Sequence, residues 1–362
     1  MNQEETSLRF YTTQHPFYCG IDLHARMMYV CLLDQSGEIL VHRHRQTDPE
    51  TFLKAIAPYR QGMVVAVECM FTWYWLADLG ADEGLPCVLG HALSMQAIHG
   101  GKAKNDPIDS PKIAAWLRGG MLPQASVYPA KLRATRDVLR RRRPLAHQRA
   151  ERLAHVQHTN SQYPLPALGT KIASKANRAG VAERCADAAV QKSSAVDLAL
   201  ITSDDALLRD GELPLVTTAK HHDPNTRYLL HTVPGIGTML RRVLLDESHH
   251  VHRFPRVQDV VSSGRLVKCA RESAGTRDGT SGAKIGKAHL TWAFSEAAVL
   301  CLRDHPAAQT YLARLANKHD KGQALTILAQ QLARAVYDRL KRPGAFATEK
   351  CCQRYTLREG SG

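Results

Sequence analysis

An α/β layer followed by a longer, basic, mainly helical region is the fold class this sequence predicts. Up to Leu122, apolar runs of strand length alternate with amphipathic stretches of helix length. From Lys131 onward the composition turns to Arg, Leu, Ala and Gln. A third observation is where the acids fall. In a chain with 48 Lys and Arg against 34 Asp and Glu, formally +14, one acid closes each of two apolar runs, Asp22 and Glu68. Two more, Asp106 and Asp109, stand at the start of a predicted helix.

The elements follow in order. Phe17–Asp22, Met28–Leu33 and Ile39–Arg45 read as successive strands, the second and third joined by a turn at Asp34-Gln35-Ser36-Gly37. Asp48 is the expected N-cap of a helix running to Tyr59. Met63–Glu68 reads as a buried strand, Thr72–Glu83 as a helix, Cys87–Leu89 as a strand and Ile108–Leu117 as a helix. Three strands, helix, strand, helix, strand, helix is the order of an RNase H-like (RuvC-like) domain, placed at 14–130. A helical coiled-coil arm is expected at 131–215, since Leu132, Leu139, Leu145, Leu153 and Val156 mark a long helix that Pro144 should kink or interrupt. A Pro- and Gly-bearing stretch from Tyr163 to Gly180 breaks it, and helical periodicity returns over Ala182–Leu213, which predicts an antiparallel hairpin. Residues 216–346 read as a mainly α-helical C-terminal domain. A loop rich in Gly, Ser and Thr is expected between Ala270 and Gly286, and 347–362 is a tail without pattern.

A chain of 362 residues can hold two or three domains of ~100–200 residues each. Its nine cysteines have no C-x-x-C spacing, which fits a reduced cytoplasmic protein without a structural zinc site. The polar N-terminus is unlike a signal peptide, and the apolar runs are strand-sized, so no membrane partner is expected. The positive balance is the footprint of a polyanion binder. Lys102, Lys104, Lys112, Arg140, Arg141, Arg142, Arg143, Arg241 and Arg242 are the candidate phosphate contacts. Aromatics make up only 6%, too few for a protein that works mainly by stacking on bases.

Cutting a phosphodiester by the two-metal route needs acidic oxygens holding two cations ~3.5–4 Å apart. Hard oxygen ligands suit Mg²⁺. If the strands ending in Asp22 and Glu68 are neighbours, both carboxylates emerge at one sheet edge, and Asp106 and Asp109, at i and i+3, share a helix face. Taken alone, Asp106 is equally an N-cap. A second candidate site is Val233-Pro234-Gly235-Ile236-Gly237, which resembles a helix-hairpin-helix turn. Gly235 and Gly237 there would let backbone N–H groups approach phosphate.

Taken with their order and spacing, several motifs resemble those of the DEDD-class insertion-sequence transposases, the group of the pilin-gene invertase and the RNA-guided bridge recombinases. They are Gly20-Ile21-Asp22-Leu23-His24, Ala66-Val67-Glu68, Lys102-Ala103-Lys104-Asn105-Asp106-Pro107-Ile108-Asp109, Val233-Pro234-Gly235-Ile236-Gly237, Gly264-Arg265-Leu266-Val267 and Glu272-Ser273-Ala274-Gly275. The resemblance implies that Asp22, Glu68, Asp106 and Asp109 bind a divalent metal such as Mg²⁺. It also implies that a C-terminal serine attacks DNA to form a 5′-phosphoserine link. Ser273 matches that serine best and Ser281 is the alternative. The implied partners are DNA at the element ends and target, a structured non-coding guide RNA, and further copies of the chain as a dimer and a synaptic tetramer. Departures from the family pattern are Pro107, Ser110 and Pro111 around the last acid, Lys287 where Asn is common, and Pro144 in the arm. Other readings of the same residues are a hydrolytic junction-resolving nuclease and a non-catalytic nucleic-acid-binding protein.

Overall fold

The computed structural model describes residues 10–98, 106–163, 165–217, 224–273, 276–281 and 286–342. The chain divides into two compact units, Met1–Lys131 and Leu132–Gly362.

The first unit is a mixed α/β layer. Its strands are β1 (Phe17–Leu23), β2 (Met27–Asp34), β3 (Ile39–Gln46), β4 (Met63–Glu68), β5 (Cys87–Gly90) and the short β6 (Gln124–Ala125). They form one six-stranded sheet in the order β3-β2-β1-β4-β5-β6. β2 runs antiparallel to both β1 and β3, β4 lies parallel to β1, β5 lies parallel to β4, and β6 is antiparallel to β5. The β2–β3 turn forms because the Asp34 carboxylate accepts from the Ser36 hydroxyl and from the Gly37 and Glu38 N–H groups, with Gly37 at φ +95°. The helices are α1 (Pro49–Ile56), α2 (Tyr74–Asp82), α3 (Ala92–Ile98) and α4 (Asp106–Arg118). Asp48 caps α1 as expected, accepting from Thr51 N–H. α3 and β6 were not legible, since a seven-residue helix and a two-residue strand give too little periodicity to read.

α4 covers one face of this sheet. Ile113, Ala114 and Leu117 pack on Tyr18, Val64 and Ala66. The approach is so close that a Cβ at Gly20 would overlap the backbone of Ser110 and Ala114. Pro111 does not interrupt α4.

The second unit opens with α5 (Ala130–Gln162) and α6 (Ala188–Thr217). Their ion pairs Arg142–Glu212, Arg149–Asp205, Arg152–Asp204 and His155–Asp197 advance along one helix as they retreat along the other, so the pair is antiparallel. Val156, Ile172 and Ile201 form a small apolar core at its far end. The expected kink or break at Pro144 is corrected in part: α5 continues through it without a break. An interior proline costs a helix ~3 kcal/mol. Arg140 and Arg142 before it and Arg149 after it each bind an acid on another helix, and those tertiary contacts hold α5 in one piece.

The rest of the unit is α7 (Pro224–His231), α8 (Thr238–Ser248), α9 (Val257–Ser263), α10 (Ala288–Asp304), α11 (Pro306–Ala316) and α12 (Lys321–Lys341). Leu230, Leu244, Leu290, Phe294, Leu328 and Leu332 build its core, joined by Leu139 of α5 and Leu215 of α6. The loop expected between Ala270 and Gly286 contains instead an antiparallel ribbon of β7 (Cys269–Ser273) and β8 (Thr276–Ser281). A register shift at Arg271/Glu272, opposite Gly279 at φ +134°, lets this glycine-bearing segment pair as strands. The tail lies outside the described residues.

Candidate active site and nucleic-acid interface

β1 and β4 bring the first two acids together. Their parallel register sets Ile21 opposite Val67, so Asp22 and Glu68 follow in step at the C-terminal ends of adjacent strands about 4.8 Å apart. Alternation puts both carboxylates on the face that carries Tyr18, Gly20, Val64 and Ala66, the face α4 covers. α4 runs with its C-terminal end by the β2–β3 turn, where Arg118 donates to the Gln35 carbonyl. Its first turn, with Asp109, therefore lies toward the acid-bearing strand ends. Asp22 and Asp109 are mostly buried, with side chains 15% and 19% exposed.

Two of these acids have a basic neighbour. His24 Nε2 lies 3.4 Å from Asp22, and Lys112 Nζ 3.7 Å from Asp109. Lys112, expected on phosphate, thus stands beside the last acid. The Thr72 hydroxyl donates to the Leu23 carbonyl and pins the segment after Glu68 to the end of β1. That segment presents Phe71, 80% exposed, an apolar ring able to stack on a base. The sequence reading missed it. Its only signal was an aromatic three residues beyond a strand-ending acid.

The donor chemistry fits a hard divalent cation, being all carboxylate oxygen. Asp106 begins α4 and its side chain lies outside the described residues, as do Lys102 and Lys104 entirely. Among the described residues no three His, Cys, Asp or Glu side chains form a group able to hold a metal.

The two candidate serines separate along the ribbon. Ser273 ends β7, paired with Thr276, while Ser281 ends β8, opposite Cys269. Four residues of strand, about 13 Å, lie between those levels.

Two family models match the chain: one described as a transposase, of the DEDD class, over residues 19–163, and one for transposases of the IS116/IS110/IS902 family over 227–313. The chain belongs to the DEDD-class insertion-sequence transposases. A search of curated proteins finds no match. As a transposase of this class it is a DNA-cleaving and DNA-joining enzyme, and DNA is its partner. The first match spans the acid-bearing sheet and α5; the second spans the turn between α7 and α8, the ribbon and α10.

The basic residues of this transposase are not one open patch. Arg140 donates to the buried Glu247 at 2.7 Å, Arg142 pairs with Glu212, and the Arg143 guanidinium sits 5.5 Å from the Trp292 ring. Arg141 is exposed. Arg242 is buried, facing the charge of the buried Asp246, so it is no surface phosphate contact. Gly235 takes φ +78°, and a Cβ on it would overlap the Ala297 carbonyl and lie 2.7 Å from the Cys301 nitrogen, so this glycine serves packing on α10. Gly237 caps α8 in extended conformation with open space around it. Among the described residues, no helix is long and apolar enough to cross a membrane.

Proposed function

We propose that this transposase cuts and rejoins DNA through a split site, with Asp22, Glu68, Asp106 and Asp109 as metal ligands and Ser273 as nucleophile. The observation that supports this reading most is the parallel β1–β4 pairing, which sets Asp22 beside Glu68 on the face where α4 begins. The RNase H-like assignment of the sheet rests on its strand order. A divalent cation such as Mg²⁺, when held there, activates the attacking oxygen and stabilises charge on the phosphate.

The serine oxygen forms a bond to phosphorus as the bond to the 3′ oxygen breaks. The serine proton is released to solvent and the departing 3′ oxygen takes one up. One phosphate ester replaces another, so strands can be rejoined without an external energy source. Ser273 is preferred over Ser281 because Glu272-Ser273-Ala274-Gly275 best matches the family's serine position. The α5–α6 arm joins subunits into a dimer and a synaptic tetramer, and a structured RNA supplies target recognition by base pairing. In keeping with that division, several arginines of the helical unit are paired internally rather than offered to bases.

The test is a denaturing gel for a protein–DNA adduct with element-end DNA and its flanking RNA. An adduct is expected in Mg²⁺ and is expected to vanish with EDTA, in Asp22→Ala and in Ser273→Ala. An undiminished adduct in Ser273→Ala would transfer the role to Ser281. Free nicked products without any adduct would mean water is the nucleophile, and binding without metal-dependent chemistry would mean a non-catalytic protein.

A further inference from the structure

Beyond Glu68 the chain stays fastened to the acid-bearing strand ends. The Cys69 N–H donates to the Gly90 carbonyl at 2.9 Å and the Met70 N–H to the Glu68 carbonyl at 2.8 Å, so the segment turns as soon as β4 ends. Two residues later the Thr72 hydroxyl donates to the Leu23 carbonyl at 3.0 Å. Trp73, 5% exposed, then roots the start of α2 in the core. Phe71 lies between these fastenings with 80% of its surface exposed.

A single exposed apolar side chain is ordinary on a protein surface. Phe71 differs in two respects. Hydrogen bonds hold its backbone on both sides, so the ring is presented from a fixed support rather than from a loose loop. It is also tied to both acids. Glu68 is three residues before it, no more than ~11 Å away along the chain, and its neighbour Thr72 is bonded to Leu23, which follows Asp22.

The sheet borders the acids with rings on the other flank. Strand register sets Tyr29 opposite Asp22 and His44 opposite Tyr29, so His44, Tyr29, Asp22 and Glu68 form one row across β3, β2, β1 and β4 on the same face. The Tyr29 and His44 rings stack with centroids 4.2 Å apart at 19°. The basic side chains His24 and Lys112 stand beside the carboxylates.

A nucleobase is the occupant that fits Phe71. It is flat, its faces are apolar, and it arrives joined to the phosphate on which this enzyme acts. Stacking on an aromatic ring tolerates every base, in keeping with a protein that leaves sequence to base pairing. An apolar protein surface set on the same ring would also cover His24 and the two acids, and burying them carries a desolvation cost.

We propose that Phe71 is a substrate-positioning residue, whose ring stacks on the base next to the scissile phosphate and fixes that nucleotide over Asp22 and Glu68. The role rests on the acid site proposed above and makes no use of the serine.

Photocrosslinking gives the sharpest test, because irradiated iodouracil joins to an aromatic ring stacked on it. Element-end DNA with its flanking RNA carries 5-iododeoxyuridine at each nucleotide near the cut in turn. It is bound to full-length protein in Ca²⁺, a cation that carboxylates also hold, and irradiated. A crosslink to the peptide carrying Phe71 is expected at one position, kept in Phe71→Tyr and lost in Phe71→Ala. In Mg²⁺, Phe71→Ala is expected to slow strand cleavage about fivefold to a hundredfold, with Tm unchanged because the ring is exposed. On DNA that lacks the base at the crosslinking position, wild type and Phe71→Ala should cleave at the same rate. Phe71→Leu keeps apolar bulk without a ring and should stay closer to Phe71→Ala than to wild type. Wild-type cleavage in Phe71→Ala, or a crosslink that maps only to other residues, would overturn the proposal. So would full rescue by Phe71→Leu, since the ring would then be packing on protein. Asp22→Ala is expected to lose cleavage and keep the crosslink; cleavage retained in Asp22→Ala would sink the acid-site reading instead, so the two ideas fail separately.

Discussion

In the sheet unit the acids Asp22, Glu68 and Asp109 stand at the ends of elements, on a face set by strand register. In the helical unit Glu212, Glu247, Asp204 and Asp205 lie along helix flanks where arginines of another helix close on them. The difference teaches how charge should be read. An acid ending a buried strand is placed by backbone register, whereas an arginine in a helical run is offered to solvent only where no acid of another helix reaches it. Four consecutive arginines therefore overstate the free positive charge of the arm.

The largest expected effects test the close contacts on which each unit depends. Gly20→Val would drive a side chain into the backbone of Ser110 and Ala114 and lift α4 from β1. Gly235→Val would meet Ala297 and Cys301 while also straining φ +78°. Overpacking costs ~1–3 kcal/mol where side chains can yield, and here backbone must yield, so each should exceed ~3 kcal/mol in urea denaturation. Gly20→Val should abolish the chemistry in any fraction that stays folded, by displacing Asp109 from the strand ends. Full activity and stability in Gly20→Val would mean that α4 does not hold the acid site together.

Next in size is Glu247, 3% exposed and bound by Arg136 and Arg140. Burial alone would raise its pKa, but hydrogen bonding to Arg140 and the charges of Arg136 and Arg140 outweigh it and bring it down to about 2. Removing one member of a buried pair costs ~3–5 kcal/mol, so Glu247→Gln should lose about that at neutral pH. The carboxyl is depressed in the folded state, so its contribution is present above the unfolded value and fades as pH falls toward 2. Lys287 beside it is pushed down to about 7, by burial first and then by Arg253, with Glu247 opposing. Between about 7 and its ordinary 10.5 the unfolded chain binds a proton that the folded chain does not. Stability should rise with pH across that window, and Lys287→Met should flatten the rise. A wild-type profile flat from pH 7 to 10 would contradict the burial of this amine.

The contrast also explains what the sequence disclosed. Asp22, Glu68 and the order of the main strands were legible because alternation and strand-ending acids are local patterns. That β1 and β4 are neighbours was a condition the sequence could state but not meet by itself. Gly20 looked like any glycine, because its role depends on a helix 90 residues away, read from Ser110. Arg140 and Arg142 were read as phosphate contacts because their partners lie 107 and 70 residues downstream.

Pro144 offers the smallest and most discriminating test of whether tertiary pairs govern the arm. If α5 is continuous only because Arg140, Arg142 and Arg149 are fastened to other helices, the proline remains a local cost that those contacts outweigh. Pro144→Ala restores an N–H donor to the Arg140 carbonyl and relieves the ring's clash with that turn. The gain should be on the order of 1–3 kcal/mol in denaturation midpoint, with DNA binding unchanged. In a Glu212→Gln background the arm loses one of its fastenings, and the proline's cost should then surface as a larger gain from Pro144→Ala than in wild type. Equal gains in both backgrounds would mean that the Arg142–Glu212 pair has no share in holding the helix through residue 144.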